Sequence, residues 1–461
     1  MGKWLGDGTF WRAALRLALP IALQNLLMSS FAMVDTIMIG QLGETSLAAV
    51  GMAGQWSWLM NIFMFGVSSG SAIFISQYWG NREMDGISRT YGMVTLSAVG
   101  VALGFMVVAL TAPRWVLGLF TNEAPVIEEG VQYLEIACIS YIGIGFNQAF
   151  STLLRSTENV KLPVYTSLAA VAANAFFNYA LIFGAWGFPE LGVRGAAIAT
   201  AIAACLNPLL LYLISLAKRN ILIVPLRRMF HFPRGFAKEF FLLSLPVLLN
   251  ESIWAVGTMG YNMVFGRMGT GNYSAMTIFR TVEGIAFVFF VGLCHACSVM
   301  VGKSVGAGQL EQARADARRF AVLVPLVAFL VGLALIALRA PILSLFNLTA
   351  EVRDTAMLLL LIYGLEISLR NVPYVNIVGI FRAGGDTRTG MLYDIGCVWL
   401  ISLPLTVVGG LVLKLPFPLV FLMMLLGEDI VKSALCIRRF RGGKWIKPVT
   451  DAGKRALAEQ G

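Results

Sequence analysis

L-A-L-P at Leu17–Pro20 and L-S-L-P at Leu243–Pro246 stand 226 residues apart, and that spacing governs much of the chain. At the same offset Gly40 and Gly43 fall on Gly266 and Gly269, Gly80 on Gly306, and Leu119-Phe120 on Leu345-Phe346. Low-complexity apolar helices rarely hold one register over about a hundred residues, so the chain reads as an internal two-fold repeat. Inside a membrane such a repeat predicts two halves that rock around a site between them.

The composition places the chain in a membrane. Hydrophobic residues make up 58% and charged residues 13%, and mean hydropathy is +0.76, whereas soluble domains carry roughly a quarter charged residues. A spanning helix needs about 20 mostly apolar residues. Twelve stretches qualify: 17–39, 48–74, 91–112, 131–153, 162–184, 196–216, 241–265, 274–301, 320–338, 356–379, 391–412 and 417–436. Six is even, so both halves enter the membrane in the same direction and the repeat is parallel. The expected fold is all-α: a six-helix lobe over 1–216, a cytoplasmic linker over 217–240, a second lobe over 241–437 and a basic, mobile tail over 438–461.

The net charge of +10 invites a nucleic-acid reading, but the placement of the charges opposes it. With both termini in the cytoplasm, 27 of the 35 Lys and Arg fall on the cytoplasmic side. Six (Arg114, Arg194, Arg267, Arg339, Arg353, Lys414) fall outside, and Arg280 and Arg370 lie within helices. That bias is the positive-inside rule, so the basic balance reflects topology and contact with anionic lipid. Lys3, Trp4, Trp11, Arg12 and Arg16 read as an interfacial lead into a retained first span, with no cleavable signal. The protein is therefore expected in the cytoplasmic (inner) membrane, with no nucleic-acid partner.

Several chemical readings lose ground. The six cysteines sit in or beside apolar helices as packed hydrophobes, and Cys294-His295-Ala296-Cys297 lacks a second ligand pair for a metal. Gly302-Lys303-Ser304 ends like a phosphate-binding loop, but Cys297 stands where its first glycine belongs. An enzyme needs a nucleophile, base or metal cluster, and His231 and His295 are the only histidines. Gly80 and Gly306 are expected to end their helices as glycine commonly does.

Ionisable groups at membrane depth cost a few kcal/mol or more, so each is a functional candidate. Asp35, late in the first span, has no basic residue within a helical turn. It either takes a proton or holds a cation, unless it lies at a water-filled mouth. Asn174 and Asn178 are four apart and share a face. With Thr200 they add neutral oxygens suited to a hard cation, or else bond between helices. In the second half Glu251 has no in-helix partner and is a candidate for a second proton or a substrate cation. Arg280 and Glu283, three apart, join Glu251 as the candidate second-lobe proton or substrate site; like Glu366 and Arg370, four apart, they read either as a pair neutralised on its own helix or as a relay. Asp394 and Glu135 are weaker candidates.

These residues carry a resemblance. P-I-A-L-Q-N from Pro20 and V-D-T-I-M-I-G-Q-L-G from Val34 resemble the opening of multidrug and toxic compound extrusion (MATE) transporters. N-A-F-F-N-Y-A-L-I-F-G from Asn174 resembles their fifth-to-sixth helix segment, and F-R-A-G-G-D-T-R at Phe381–Arg388 the loop after the tenth helix, especially in the DinF-like branch. The resemblance implies two six-helix lobes around a V-shaped cleft. It also implies antiport of small organic cations against H⁺ or Na⁺, with no cofactor beyond that ion. Asp35 matches the family's first-helix acid, Asn174 its fifth-helix amide and Thr200 its sixth-helix hydroxyl. Asn178 departs, since many relatives carry an acid there, which weakens a tight Na⁺ site. A monomer is expected, because the cleft lies within one chain. The nearest rival is a lipid-linked oligosaccharide flippase of the same superfamily, whose cavity is strongly basic.

Overall fold

The computed structural model of the protein describes residues 8–344, 346 and 348–460, without the side chains of residues 29–33 and 270. Lys3 and Trp4 of the expected interfacial segment, and Leu345 of the repeat, lie outside the described residues. The fold is all-α.

Each of the twelve apolar stretches is helical. In chain order they are α1 (Gly8–Gly40), α2 (Glu44–Gly80), α3 (Met84–Thr111), α4 (Ala124–Ala137 and Ser140–Ser156), α5 (Lys161–Phe183) and α6 (Val193–Ala217). Then come α7 (Phe236–Arg267), α8 (Thr270–Gly306), α9 (Leu310–Leu343), α10 (Ala350–Tyr374), α11 (Thr387–Cys397) and α12 (Phe417–Arg441). The two pieces of α4 meet at a 49° bend. Wide turns carry α10 on through Val375–Phe381 and α11 on to Val412, a local irregularity often found at functional sites. Pro20 and Pro246 lie inside α1 and α7, as membrane helices tolerate. Among the described residues eight helices are long and apolar enough to cross a membrane, nine with the bent α4 counted as one.

The repeat is written in the backbone. α2 and α8 begin and end 226 residues apart. Gly43 and Gly269, one repeat apart, both take a positive φ, 115° and 121°. Arg82 and Gly308 form the next such pair, at 56° and 74°. The left-handed turn after the second helix thus falls two residues beyond Gly80 and Gly306. Those two glycines do end α2 and α8, as expected, and they also serve close approach. A Cβ on Gly80 would overlap the Lys303 carbonyl, and one on Gly306 the Gln77 carbonyl.

The chain divides into two compact units. One, here the earlier unit, holds Leu23–Ile75 and Glu83–Leu248. Its core packs Trp56, Met60, Met64, Leu134, Tyr141 and Ile182, and glycines bring backbones together: Gly143 of α4 lies on the Ala204 carbonyl of α6. Such small-residue contacts replace the hydrophobic drive that lipid cannot supply. The other, the later unit, holds Met1–Ala22, Ser76–Arg82 and Leu249–Gly461. In it Phe279 meets Phe421 and Tyr363 edge-on, each at 5.0 Å between ring centres, worth about 1 kcal/mol apiece beyond area.

The tail is not mobile, contrary to the expectation from its basic sequence. Trp445 is buried, Lys447 N donates to Gly384 O at 2.6 Å, and Val449 N donates to Gln77 Oε1 at 2.8 Å. Thr450 Oγ1 donates to Gly306 O at 2.7 Å and caps a last helix, α13 (Asp451–Ala458), by accepting from Gly453 N. Its positive charge is answered by Asp386, fully buried, which binds Arg439 at 2.7 Å and Lys447 at 2.6 Å.

Candidate functional site

In the earlier unit three of the expected residues converge. α1 carries Asp35 five residues before its end, and α5 presents Asn174 and Asn178 on one face. Asn178 is fully buried. Its Nδ2 donates to Asp35 Oδ1 and, at 3.3 Å, to Asn174 Oδ1. Its own Oδ1 is buried with no hydrogen-bond partner among the described residues. A buried acceptor left bare beside a carboxylate is costly unless something visits it.

Thr200 on α6 joins through a residue the sequence reading passed over. Tyr133, on α4, lies near both Thr200 and Asp35. Tyr133 is buried, whereas Glu135, two residues on, faces outward. A lone tyrosine in an apolar helix carries no pattern that marks it. The cluster is therefore one carboxylate, two amides, a phenol and an alcohol from four helices. It can bind a proton or a hard cation by exchanging an amide donor for an acceptor at Asp35.

In the later unit the ionisable side chains pair otherwise than their spacing predicts. Glu251 has a partner: Arg382, of the F-R-A-G-G-D-T-R stretch, meets it at 2.6 Å and is itself almost wholly buried. Glu283 does not close on Arg280 but on Arg370 of α10, at 3.4 Å. Glu366 is thereby left without Arg370. Both its oxygens are buried with no hydrogen-bond donor, and the Asp429 carboxyl of α12 faces it. Lys432, sorted by sequence with the cytoplasmic charges, is buried in α12 and holds Asp394 at 2.7 Å and Glu428 at 2.6 Å. Spacing along one helix names the neighbours of a side chain, but helix rotation decides which neighbour it takes.

Comparison with known proteins agrees with this architecture. The model of the MatE family matches residues 20–180 and again 246–408, so its second copy starts 226 residues after its first. The probable multidrug resistance protein NorM of Thermotoga maritima is 25% identical over 438 residues, 94% of this chain and 92% of that one. The multidrug resistance protein NorM of Burkholderia vietnamiensis is 28% identical over 402 residues, 84% of this chain and 85% of that one. Among solved structures, the Vibrio cholerae MATE transporter VcmN superposes with a TM-score of 0.85 at 19% identity, covering 98% of both chains.

Proposed function

We propose, for a chain that belongs to the MatE family, that it exports small organic cations by alternating access in exchange for an entering ion bound at Asp35. Family membership makes the chain a multi-pass membrane transporter rather than an enzyme. The finer points are inferred: a cytoplasmic-membrane location with both termini inside, cationic cargo and ion coupling. The names of the relatives support a drug-like cargo, and the positive-inside bias supports the orientation.

The observation that carries the proposal is the Asp35–Asn178 contact, in which a carboxylate at membrane depth accepts from an amide and, among the described residues, pairs with no cationic side chain. An entering proton turns one Asp35 oxygen from acceptor to donor, so the amide loses the charge it answered and α1 repacks against α5. The ion drives the change only through its different affinity for the two states. H⁺ is the first reading, because Asn178 turns its NH₂ toward the acid. Na⁺ is the second, supported by the unpartnered Asn178 Oδ1, which a half-turn of the amide would bring to the acid beside Asn174 Oδ1.

The test is efflux of a fluorescent organic cation from proteoliposomes under a pH gradient, a Na⁺ gradient or neither. Efflux requiring one gradient and lost in Asp35→Asn supports coupling at Asp35 and names the ion. Normal gradient-driven export by Asp35→Asn rules Asp35 out as the coupling acid. No cation efflux under any gradient favours lipid-linked cargo.

A further inference from the structure

We infer that the later unit holds a separate binding pocket for a flat aromatic molecule bearing a carboxylate, with Arg280 as the anion-binding group. A cavity of about 300 Å³ opens among α7, α8, α10 and α12. Met276, Arg280, Glu283 and Phe287 recur along one face of α8, and Trp254, Thr258 and Tyr261 line it from α7. Its size lies at the small end for ligand pockets, enough for a two-ring aromatic.

The four charges that line that pocket, Arg280 and Arg370 with Glu283 and Glu428, balance in number but not in pairing. Glu283 is engaged by Arg370 at 3.4 Å and Glu428 by Lys432 at 2.6 Å. Among the described residues Arg280 has no ion-pair partner within 4.0 Å, and its attraction to Glu283 is shared with Arg370. Behind the pocket, Lys432 also takes Asp394, while Glu366 and Asp429 face one another; none of these three acids lines the cavity. Arg280 is thus the one charge of the lining without an ion-pair contact among the described residues, and an unpaired charge within a membrane is expensive.

A carboxylate answers it best, because the guanidinium fork binds both oxygens at once. Tyr261, 5% exposed, lines the same wall from α7. The walls suit an aromatic ring. Phe279 is fixed edge-on by Tyr363 and Phe421, and Phe287 is fixed by Tyr374 at 4.8 Å. A cation fits worse, since both wall carboxylates are already engaged and Arg280 would repel it.

The pocket does not depend on Asp35, so it is tested by binding without a gradient. Calorimetric titration of the purified protein in detergent would compare a naphthalene carboxylate with its neutral carboxamide and with a naphthyl trimethylammonium. We expect the carboxylate to bind at least about tenfold more tightly than the amide, the scale of one charge-assisted contact. Arg280→Gln should remove that preference and leave amide binding unchanged. Arg280→Lys should keep part of it, and Asp35→Asn all of it. Equal binding of acid and amide, tighter binding of the ammonium, no binding of any probe, or an unaltered preference in Arg280→Gln would each overturn the assignment.

Discussion

Replacing Arg382 by methionine should be among the most destabilising single changes in the later unit. The side chain is 4% exposed and its partner Glu251 21% exposed, with 2.6 Å between them. Two unit charges about 4 Å apart, centre to centre, attract by about 4 kcal/mol at an effective dielectric of 20. Much of that only offsets the removal of both groups from water. Breaking the pair is different, because it strands a partly buried carboxylate, at a cost of about 3–5 kcal/mol. Water reaches a fifth of Glu251, which sets the expectation at the lower end, about 3 kcal/mol. Adding Glu251→Gln removes the stranded charge and should recover about 2 kcal/mol. The remaining deficit belongs to the other contacts of Arg382. The assay is the SDS mole fraction at half-unfolding, followed by tryptophan fluorescence, for wild type, both single variants and the double variant. A loss below about 1 kcal/mol in Arg382→Met, or strictly additive effects in the double variant, would refute the reasoning.

Three further outcomes follow from the geometry. Asn178→Asp places a second carboxylate against Asp35, so Na⁺ at a hundred times its Kd should stabilise that variant by about 2.7 kcal/mol over choline; no Na⁺-specific rise in unfolding temperature would show that the cluster cannot hold the ion. Glu366→Gln gives the facing Asp429 an amide donor, so its stability should stay level or rise by about 1 kcal/mol; a clear drop would mean that Glu366 has a partner it needs. Trp445→Ala empties the site that seats the tail and should expose Lys447, Lys454 and Arg455 to trypsin. The wild-type tail should resist, and equal cleavage of the two would show that Trp445 does not hold it.

The repeat, the twelve helices and the shared face of Asn174 and Asn178 could be read from the sequence because each rests on one-dimensional regularity, whereas the meeting of Asp35 with that face was implied by the resemblance to MATE transporters. Apolar length marks a span, a fixed offset marks a duplication, and a spacing of four marks a shared helix face. The ion pairs of the later unit could not be read so. Arg280 with Glu283 and Glu366 with Arg370 obey the same spacing rule, yet the helices are turned so that Glu283 meets Arg370. Tyr133 gave no sign at all, because a tyrosine facing a carboxylate looks like one packed in a core. The tail misled through its charge; Trp445 and Ile446, both buried, were the apolar residues that marked a docked segment.

The hydrogen bond from Val449 to Gln77 joins residues 372 apart in the chain. At roughly 5–20 residues per second, Gln77 waits on the order of twenty seconds to a minute after its synthesis before its partner exists. The end of α2 must therefore be inserted with that acceptor satisfied otherwise, and this contact of the later unit can form only once Val449 has been made. Truncation just before Val449 should leave a chain that inserts normally yet lacks this final closure. Quality control would meet such a protein as inserted but unfinished.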